Sequence, residues 1–336
     1  MMKEARRAVG ILAILSAIAF SIAPLHGADS RPHPRPEWQR DRASLDQRFV
    51  CEEFRIFYTL SGKNALPSDE NAEGSEVPDQ IRNLALQLLT ARQCYVQVLG
   101  LRHPFESPRY KGRVKFVDVN VWSLPNSNGM AGDGIVNYHR DNDPPDGFEV
   151  VTIDLSNKLS VTNLSPAHEL FHLFQNGYSL FKTPWYYEGM ARWSEDLLRG
   201  RPGAVVALSA CRADRDELYH RSYEASPFWQ ALARATDSHG KPSYPQEVRE
   251  VRYHGTDKPI VEDDNFFGAP LLKALLEELD RQDDLASGRA GLNPLDWPET
   301  RQRSAENNAF IWSAVLAACQ RFPCASPELQ RMIAIH

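Results

Sequence analysis

Two histidines four residues apart, with a glutamate between them, are the residues of this chain best suited to metal chemistry. His168, Glu169 and His172 form the pattern H-E-x-x-H. On a helix, residues four apart lie one turn apart on the same face, so both imidazoles can reach one ion. Glu169 lies beside them, where it can hold a water bound to that ion. The pattern is typical of zinc sites with this glutamate as general base, and it predicts zinc ligands at both histidines.

A helix must carry this pattern, and the local sequence predicts one. Ser165 is a good N-cap, and Pro166 suits the first helical position. The residues around the histidines are apolar on most sides, which indicates burial. Gly177 is expected to end the helix as a C-cap. The expected helix therefore spans residues 166–176.

A second segment offers the third ligand. Thr183 and Pro184 predict the start of another helix, and Glu188 would lie one turn inside it. Because the link of residues 177–182 is short, the two helices should pack roughly antiparallel, with Glu188 facing both histidines. Catalytic zinc takes three protein ligands, and two histidines with one glutamate are such a set. The alternative is that Glu188 is a solvated carboxylate on a surface helix.

Together the two segments resemble the gluzincin metallopeptidases. The H-E-x-x-H pattern is followed, from Trp185, by W-x-x-E-G-x-A, and the likeness covers about residues 164–196. It implies that both histidines and Glu188 bind zinc and that Glu169 is the catalytic base. The competing metzincin pattern needs Gly and His at the third and sixth positions past the second histidine, and this chain has neither there.

The resemblance also implies a tyrosine or histidine from the C-terminal half near the oxyanion that forms during hydrolysis. Tyr219, His220 and Tyr223 are the candidates. Tyr223 is favoured because it precedes the apolar Phe228-Trp229 pair of a predicted helix. The alternative is that these tyrosines pack in the core.

The hydrophobic pattern of the whole chain predicts an α+β fold. Strands are expected at residues 54–59, 113–122 and 148–155. Helices are expected at residues 78–99, 223–235, 265–281, 304–321 and 327–335. The predicted organisation is an N-terminal lobe of residues 49–176, with a mixed sheet and the H-E-x-x-H helix, and a mainly helical C-terminal lobe of residues 177–336. The active-site helix should lie between the lobes.

Residues 1–28 have the organisation of a secretory signal peptide. Lys3, Arg6 and Arg7 precede an apolar run that ends in small residues. Cleavage there leaves a polar lead-in of residues 29–48 and a secreted or periplasmic protein without stable membrane association. The alternative is an uncleaved N-terminal anchor. The net charge of −6 argues against nucleic acid as a partner.

Export also permits disulfide bonds among the five cysteines. Cys319 and Cys324 are close enough in sequence to close a small loop. A Cys51–Cys94 bond would tie the first strand to the first long helix. Cys211 is then left over, and no cysteine is assigned to the metal.

Two polar loops are candidates for binding. In the loop of residues 69–79, Asp69, Asn71 and Glu73 alternate ahead of a glycine, as in the first half of a calcium loop, but Gln80 stands where an EF-hand has its closing glutamate. A polar turn that caps the next helix is favoured over a Ca²⁺ site. In the gluzincin arrangement, residues 149–154 would be the strand edge that binds an extended peptide, and residues 126–147 would rim the cleft. The alternative is an ordinary solvated loop.

The expected function is that of a secreted zinc-dependent metallopeptidase, an endopeptidase acting on protein or peptide substrates, with zinc-activated water and Glu169 as general base. Two other functions fit the same helices. One is a zinc hydrolase that acts on something other than peptides. The other is a catalytically silent secreted binding protein, although such a protein has no need of all four groups.

Overall fold

A computed structural model describes most of the chain after the predicted leader. The described residues are 42–71, 74–138, 143–144, 147–200, 208, 211–322 and 326–334. The predicted signal peptide and its cleavage site lie outside them. The fold is α+β, as predicted, with a sheet of six strands in the N-terminal half and helices mostly in the C-terminal half.

The sheet is mixed. Its strands are β1 (Gln47–Cys51), β2 (Phe54–Tyr58), β3 (Phe116–Trp122), β4 (Gly129–Ala131), β5 (Val136–Tyr138) and β6 (Phe148–Ser156). The order is β1-β2-β3-β6-β4, and β5 also pairs with β6. The pairs β2–β3 and β3–β6 are parallel, and the others are antiparallel.

The central strands β3 and β6 are buried on both faces. They are rich in β-branched residues, which suit such strands. Successive side chains point to opposite faces of a strand. Valines therefore alternate along β3 with Asp118 and Asn120, which are also buried. Arg55 of β2 binds Asp118 through two bonds of 2.7 and 2.9 Å and Asp143 through one of 2.8 Å, which compensates these buried charges.

The prediction that residues 149–154 form the open edge beside the cleft is wrong. The polar segment that precedes β6 folds back on it as two short strands. β4 pairs with residues 153–155 and β5 with residues 148–150, so β6 is covered along its length. β4 is the last strand on that side among the described residues.

Helices fill the rest of the chain. They are α1 (Asp79–Gln93), α2 (Ser165–Tyr178), α3 (Pro184–Ser194), α4 (Asp196–Arg199), α5 (Arg212–Leu218), α6 (Ser226–Thr236), α7 (Gln246–Glu250), α8 (Ala269–Ala290), α9 (Glu299–Gln302), α10 (Asn307–Gln320) and α11 (Pro327–Ile333). A wide π-type turn, Cys94–Val98, extends α1 to the predicted end of that helix. Single 3₁₀ turns lie at Pro104–Glu106 and Tyr223–Ala225. None of the helices in the described part of the chain is long and apolar enough to cross a membrane.

The predicted Cys51–Cys94 bond is not formed, and both residues are free thiols. Cys94 is fully buried in the turn after α1, whereas Cys51 is half-buried at the end of β1. Burial raises the pKa of the Cys94 thiol to about 12, so it behaves as a small apolar side chain. Cys324, the predicted partner of Cys319, lies outside the described residues.

The loop of residues 69–79 forms turns through its own side chains. Oδ1 of Asn71 accepts a hydrogen bond of 2.8 Å from the Ser75 N–H, and Oγ of Ser68 accepts one of 3.0 Å from the Glu70 N–H. Glu73 lies outside the described residues. Calcium binding by this loop stays a hypothesis.

Candidate metal centre

Helix α2 places both histidines and Glu169 in the interior. It begins at Ser165, whose N–H donates a hydrogen bond of 2.8 Å to Oδ1 of Asn163. All its residues from Pro166 onward are buried. Gly177 does not end the helix, which runs to Tyr178. A β carbon at Gly177 would lie 3.4 Å from Cα of Pro104, an ordinary van der Waals contact, so neither a helix end nor close packing requires glycine here.

Helix α3 carries Glu188 and begins at Pro184 with Thr183 as N-cap, as predicted. Trp185 fixes this helix in the core. Its ring stacks on Trp229 with centroids 5.4 Å apart, and its Nε1 donates to Oδ1 of Asn308 at 2.8 Å. The Nε1 of Trp229 donates in turn to the Trp185 carbonyl at 3.0 Å. The W-x-x-E spacing therefore places Glu188 about one turn along the helix from a firmly held anchor.

The short link between the two helices is buried and anchored to distant elements. The Leu180 N–H donates to Oδ1 of Asp283 at 2.7 Å, and the Lys182 N–H donates to the Gln302 carbonyl at 2.8 Å. Nζ of Lys182 lies 3.1 Å from Oδ1 of Asp133 and 3.0 Å from Oε2 of Glu299. Because Asp133 follows β4 by two residues, this network joins the sheet, the link and α9.

The structure brings His168, His172 and Glu188 together. Oε2 of Glu188 lies 3.2 Å from Nε2 of His168 and 3.5 Å from Nε2 of His172. All three ligand atoms lie within 4.8 Å of one another, so the group could hold a metal ion. Neighbouring ligands in a tetrahedral zinc site are about 3.3 Å apart, given bonds of about 2.0–2.1 Å. The two measured separations fit that geometry.

The charges of the group also suit a cation. Burial alone would lower the pKa of His168, but hydrogen bonds to Glu188 and Glu195 raise it to about 9. Burial would raise the pKa of Glu188, but its contacts with both histidines hold it well below its usual range. Glu188 is therefore a carboxylate at neutral pH, and a metal ion bound here would displace the His168 proton.

A carboxylate supports the first histidine from behind. Nδ1 of His168 lies 3.1 Å from Oε1 of the buried Glu195, which can only accept, so Nδ1 carries the hydrogen. The other Glu195 oxygen, Oε2, accepts a hydrogen bond of 2.6 Å from Arg192. Nε2 of His168 is thus directed toward Glu188 as a ligand nitrogen.

An amide supports the second histidine. Nδ1 of His172 lies 2.8 Å from Oε1 of Gln175, and Nε2 of Gln175 donates to the Tyr187 carbonyl at 3.2 Å. Because the amide nitrogen is engaged by a carbonyl, the amide oxygen must face His172, which again places the hydrogen on Nδ1. The His172 ring stacks on Tyr187 with centroids 3.9 Å apart and planes 9° apart.

Sequence reasoning missed both supporting residues. Gln175 lies three residues after His172 on the same helix, and that spacing is a usable signal. Glu195 lies at the junction of α3 and α4, where nothing in the sequence marks it.

Glu169 lies beside the ligand group and against β4. It is buried, and burial raises the pKa of its carboxyl, although the two histidines and the Ala131 N–H bond oppose the shift. A carboxyl with a raised pKa is better matched to proton transfer near neutral pH than an ordinary one.

Tyr223 is the oxyanion candidate that the structure brings to the site. Its ring lies 5.8 Å from the ring of His168, its hydroxyl hydrogen-bonds to Glu188, and 52% of the side chain is exposed. Burial and the nearby carboxylates raise its pKa. Tyr219 instead packs against Trp185 and Trp312.

Comparisons of the chain with protein-family profiles, with curated proteins and with solved structures give no match.

Proposed function

We propose that this protein is a zinc-dependent metallopeptidase of the gluzincin type that is exported from the cell. The observation that supports this most strongly is the meeting of two tautomer-fixed imidazoles and one ionised carboxylate at a single point, with a second buried carboxylate beside them.

Zinc is the metal that this donor set fits best. Two imidazole nitrogens and one carboxylate oxygen match a catalytic zinc site with three protein ligands. When bound, zinc lowers the pKa of a water ligand toward neutrality and polarises the carbonyl of the scissile bond.

The side chains around the metal would carry the proton transfers. Glu169 accepts a proton from the attacking water and passes it to the leaving amine. Tyr223 lies at the same site and about half of the residue is exposed, so its hydroxyl can donate to the oxyanion that develops on the carbonyl oxygen.

The outer edge of β4 supports a peptide as the substrate. Asn128 and Gly132 bond to β6, through Ser156 N–H to Asn128 carbonyl at 2.9 Å and Gly132 N–H to Thr152 carbonyl at 2.8 Å. In an antiparallel pair the bonding residues alternate, so the backbone groups of Gly129 and Ala131 face away from β6. The Gly129 carbonyl accepts a hydrogen bond of 2.7 Å from Oγ of Ser127, and the Ala131 N–H bonds to Glu169. An extended peptide could therefore bind along this edge through the Gly129 N–H and the Ala131 carbonyl.

The test combines metal content, peptide hydrolysis and one conservative variant. Elemental mass spectrometry should find one zinc per chain in the purified protein. The protein should also cleave casein. A chelator should abolish the cleavage, and zinc should restore it. Glu169→Gln should keep zinc and lose at least about 100-fold in rate, because Gln cannot accept the proton.

A matched control removes a surface carboxylate that lies on β6. Glu149 pairs with Arg113 at the surface, at 2.6 Å, so Glu149→Gln should cleave casein at the parent rate. A zinc-loaded parent that leaves casein uncut would refute the peptidase proposal. Equal rates for the parent and Glu169→Gln would refute the role of Glu169.

A further inference from the structure

Gly129 of β4 lies directly against the proposed base. A β carbon added at this position would be 2.6 Å from Cγ of Glu169 and 2.8 Å from its Oε1. Its three nearest heavy atoms all belong to Glu169. Contacts of this length do not occur between real side chains, so any residue with a β carbon would displace the carboxylate.

Backbone conformation does not account for this glycine. The φ of Gly129 is not in the positive range that favours glycine. Gly129 also lies in a paired strand, a conformation that residues with side chains adopt readily. The requirement for glycine is therefore one of space. By contrast, Gly268 has a φ of 80° and needs glycine for its conformation as well as for close packing.

The strand approaches Glu169 through its backbone. Side chains alternate along a strand, so Gly129 and Ala131 face the same way, and Met130, which is 56% exposed, faces the other. The Ala131 N–H donates a hydrogen bond to the Glu169 carboxylate. The Glu169 carboxylate therefore occupies the space that a side chain at position 129 would fill, and it also accepts a hydrogen bond from the Ala131 N–H.

We propose that Gly129 is a positioning residue for the general base Glu169. Its lack of a side chain lets the β4 backbone lie against the carboxylate and hold it beside the metal ligands. The catalytic consequence rests on the proposed function, whereas the contact itself does not.

If the space beside Gly129 is filled, the Glu169 side chain should move and β4 should stay in place. β4 is held to β6 by the Asn128 and Gly132 bonds on either side of Gly129. Gly129→Ala should therefore turn Glu169 away from the metal ligands. A displacement of about 1 Å can lower a rate about 100-fold. We expect kcat to fall by about that factor, with KM within twofold of the parent and zinc content unchanged.

The matched control is Gly134→Ala, three residues after β4, where, apart from its chain neighbours, no heavy atom of the described residues lies within 4 Å of the added carbon. Its kcat and KM on a fluorogenic peptide should equal those of the parent. A kcat for Gly129→Ala within about twofold of the parent would overturn the proposal, as would a rise in KM with kcat unchanged.

A second measurement does not depend on catalysis. Gly129→Ala is made both in the parent and in Glu169→Ala, and the thermal midpoint of each zinc-loaded protein is recorded. The substitution should lower the midpoint in the parent, because the displaced carboxylate loses its bond from the Ala131 N–H, and should have little effect once the Glu169 side chain is absent. Equal losses in both backgrounds would overturn the proposal. If the parent cleaves no peptide, the proposed function fails while this cycle still reports on the contact.

Discussion

The two histidines of the metal centre differ in what supports them. His168 is supported by a carboxylate, Glu195, which is itself paired with Arg192, and its open side faces the exposed Tyr223. His172 is supported by a neutral amide, Gln175, and its ring is covered by the buried Tyr187. The His168 side thus has a buried charged partner and a half-exposed tyrosine, whereas both partners of His172 are neutral and buried.

This difference suggests a division of labour. A carboxylate partner makes an imidazole a stronger electron donor to a metal, whereas an amide orients the ring without adding charge. We therefore expect changes on the His168 side to alter metal affinity and turnover, and changes on the His172 side to alter stability. The predictions that follow test this division, beginning with the largest effect.

Loss of either ligand should abolish the site. His168→Ala and His172→Ala should each reduce zinc to well below one equivalent after dialysis, and should reduce peptide hydrolysis to background, because two remaining ligands do not hold a catalytic zinc. Metal analysis with a peptide assay checks this. A variant that retains full zinc would show that its histidine is not a ligand.

The two tyrosines should separate chemistry from packing. Tyr223→Phe should keep zinc and the thermal midpoint while lowering kcat by about 100–1,000-fold, as expected for loss of an oxyanion donor. Tyr187→Phe removes the hydroxyl that donates to Asn176 at 3.2 Å, so it should cost about 1 kcal/mol of stability and leave kcat nearly unchanged. If Tyr223→Phe turns over at the parent rate, Tyr223 is not the donor.

The supporting residues should affect different quantities. Glu195→Gln keeps an acceptor oxygen but removes the charge, so zinc affinity should fall by about 10–100-fold with little change in folding. Gln175→Ala leaves the His172 Nδ1–H and the Tyr187 carbonyl without partners in the interior, so stability should fall by about 1–3 kcal/mol. Competition with a chelating dye and denaturant titration of the metal-free proteins would measure both. Equal effects of the two substitutions on both quantities would contradict the division.

The smallest effect concerns the link between the two helices. Burial raises the pKa of Asp283 to about 7, partly opposed by its bond from the Leu180 N–H. Because this pKa is higher in the folded than in the unfolded chain, the contribution to stability is fully present below about pH 4 and is lost as the pH rises through 7.

Asp283→Asn keeps the acceptor oxygen without a charge. We expect the variant and the parent to have equal thermal midpoints below about pH 4, and the difference between them to grow as the pH rises toward 7. At pH 8 the variant should melt higher, by about 2–4 °C for each kcal/mol of ionisation cost removed. A difference in midpoint that does not change with pH would rule this out.

The sequence predicted which residues form the candidate metal site because their geometry is local. The four-residue spacing of His168 and His172 depends only on a helix, and Thr183-Pro184 marks the start of the helix that brings in Glu188. The main helices and the strands β2, β3 and β6 were also predictable, since their hydrophobic patterns are strong, whereas β1 was missed.

The features that were missed depend on contacts between distant parts of the chain. β4 has three residues in a polar segment, and it is a strand only because β6 lies beside it. Gly177 has the signature of a helix end, but the helix continues through it to Tyr178 in the buried interior. The predicted Cys51–Cys94 bond depended on how the end of β1 meets the turn after α1, and both residues are free thiols.

The buried link between α2 and α3 should keep the three candidate ligands together when no metal is bound. The Leu180 and Lys182 amides are bonded to α8 and α9 respectively, so this segment is held at both sides. Both amides should exchange with solvent deuterium only when the whole protein unfolds. Glu188 should therefore stay beside the two histidines after a chelator has removed zinc, and the metal-free protein should bind zinc again without refolding.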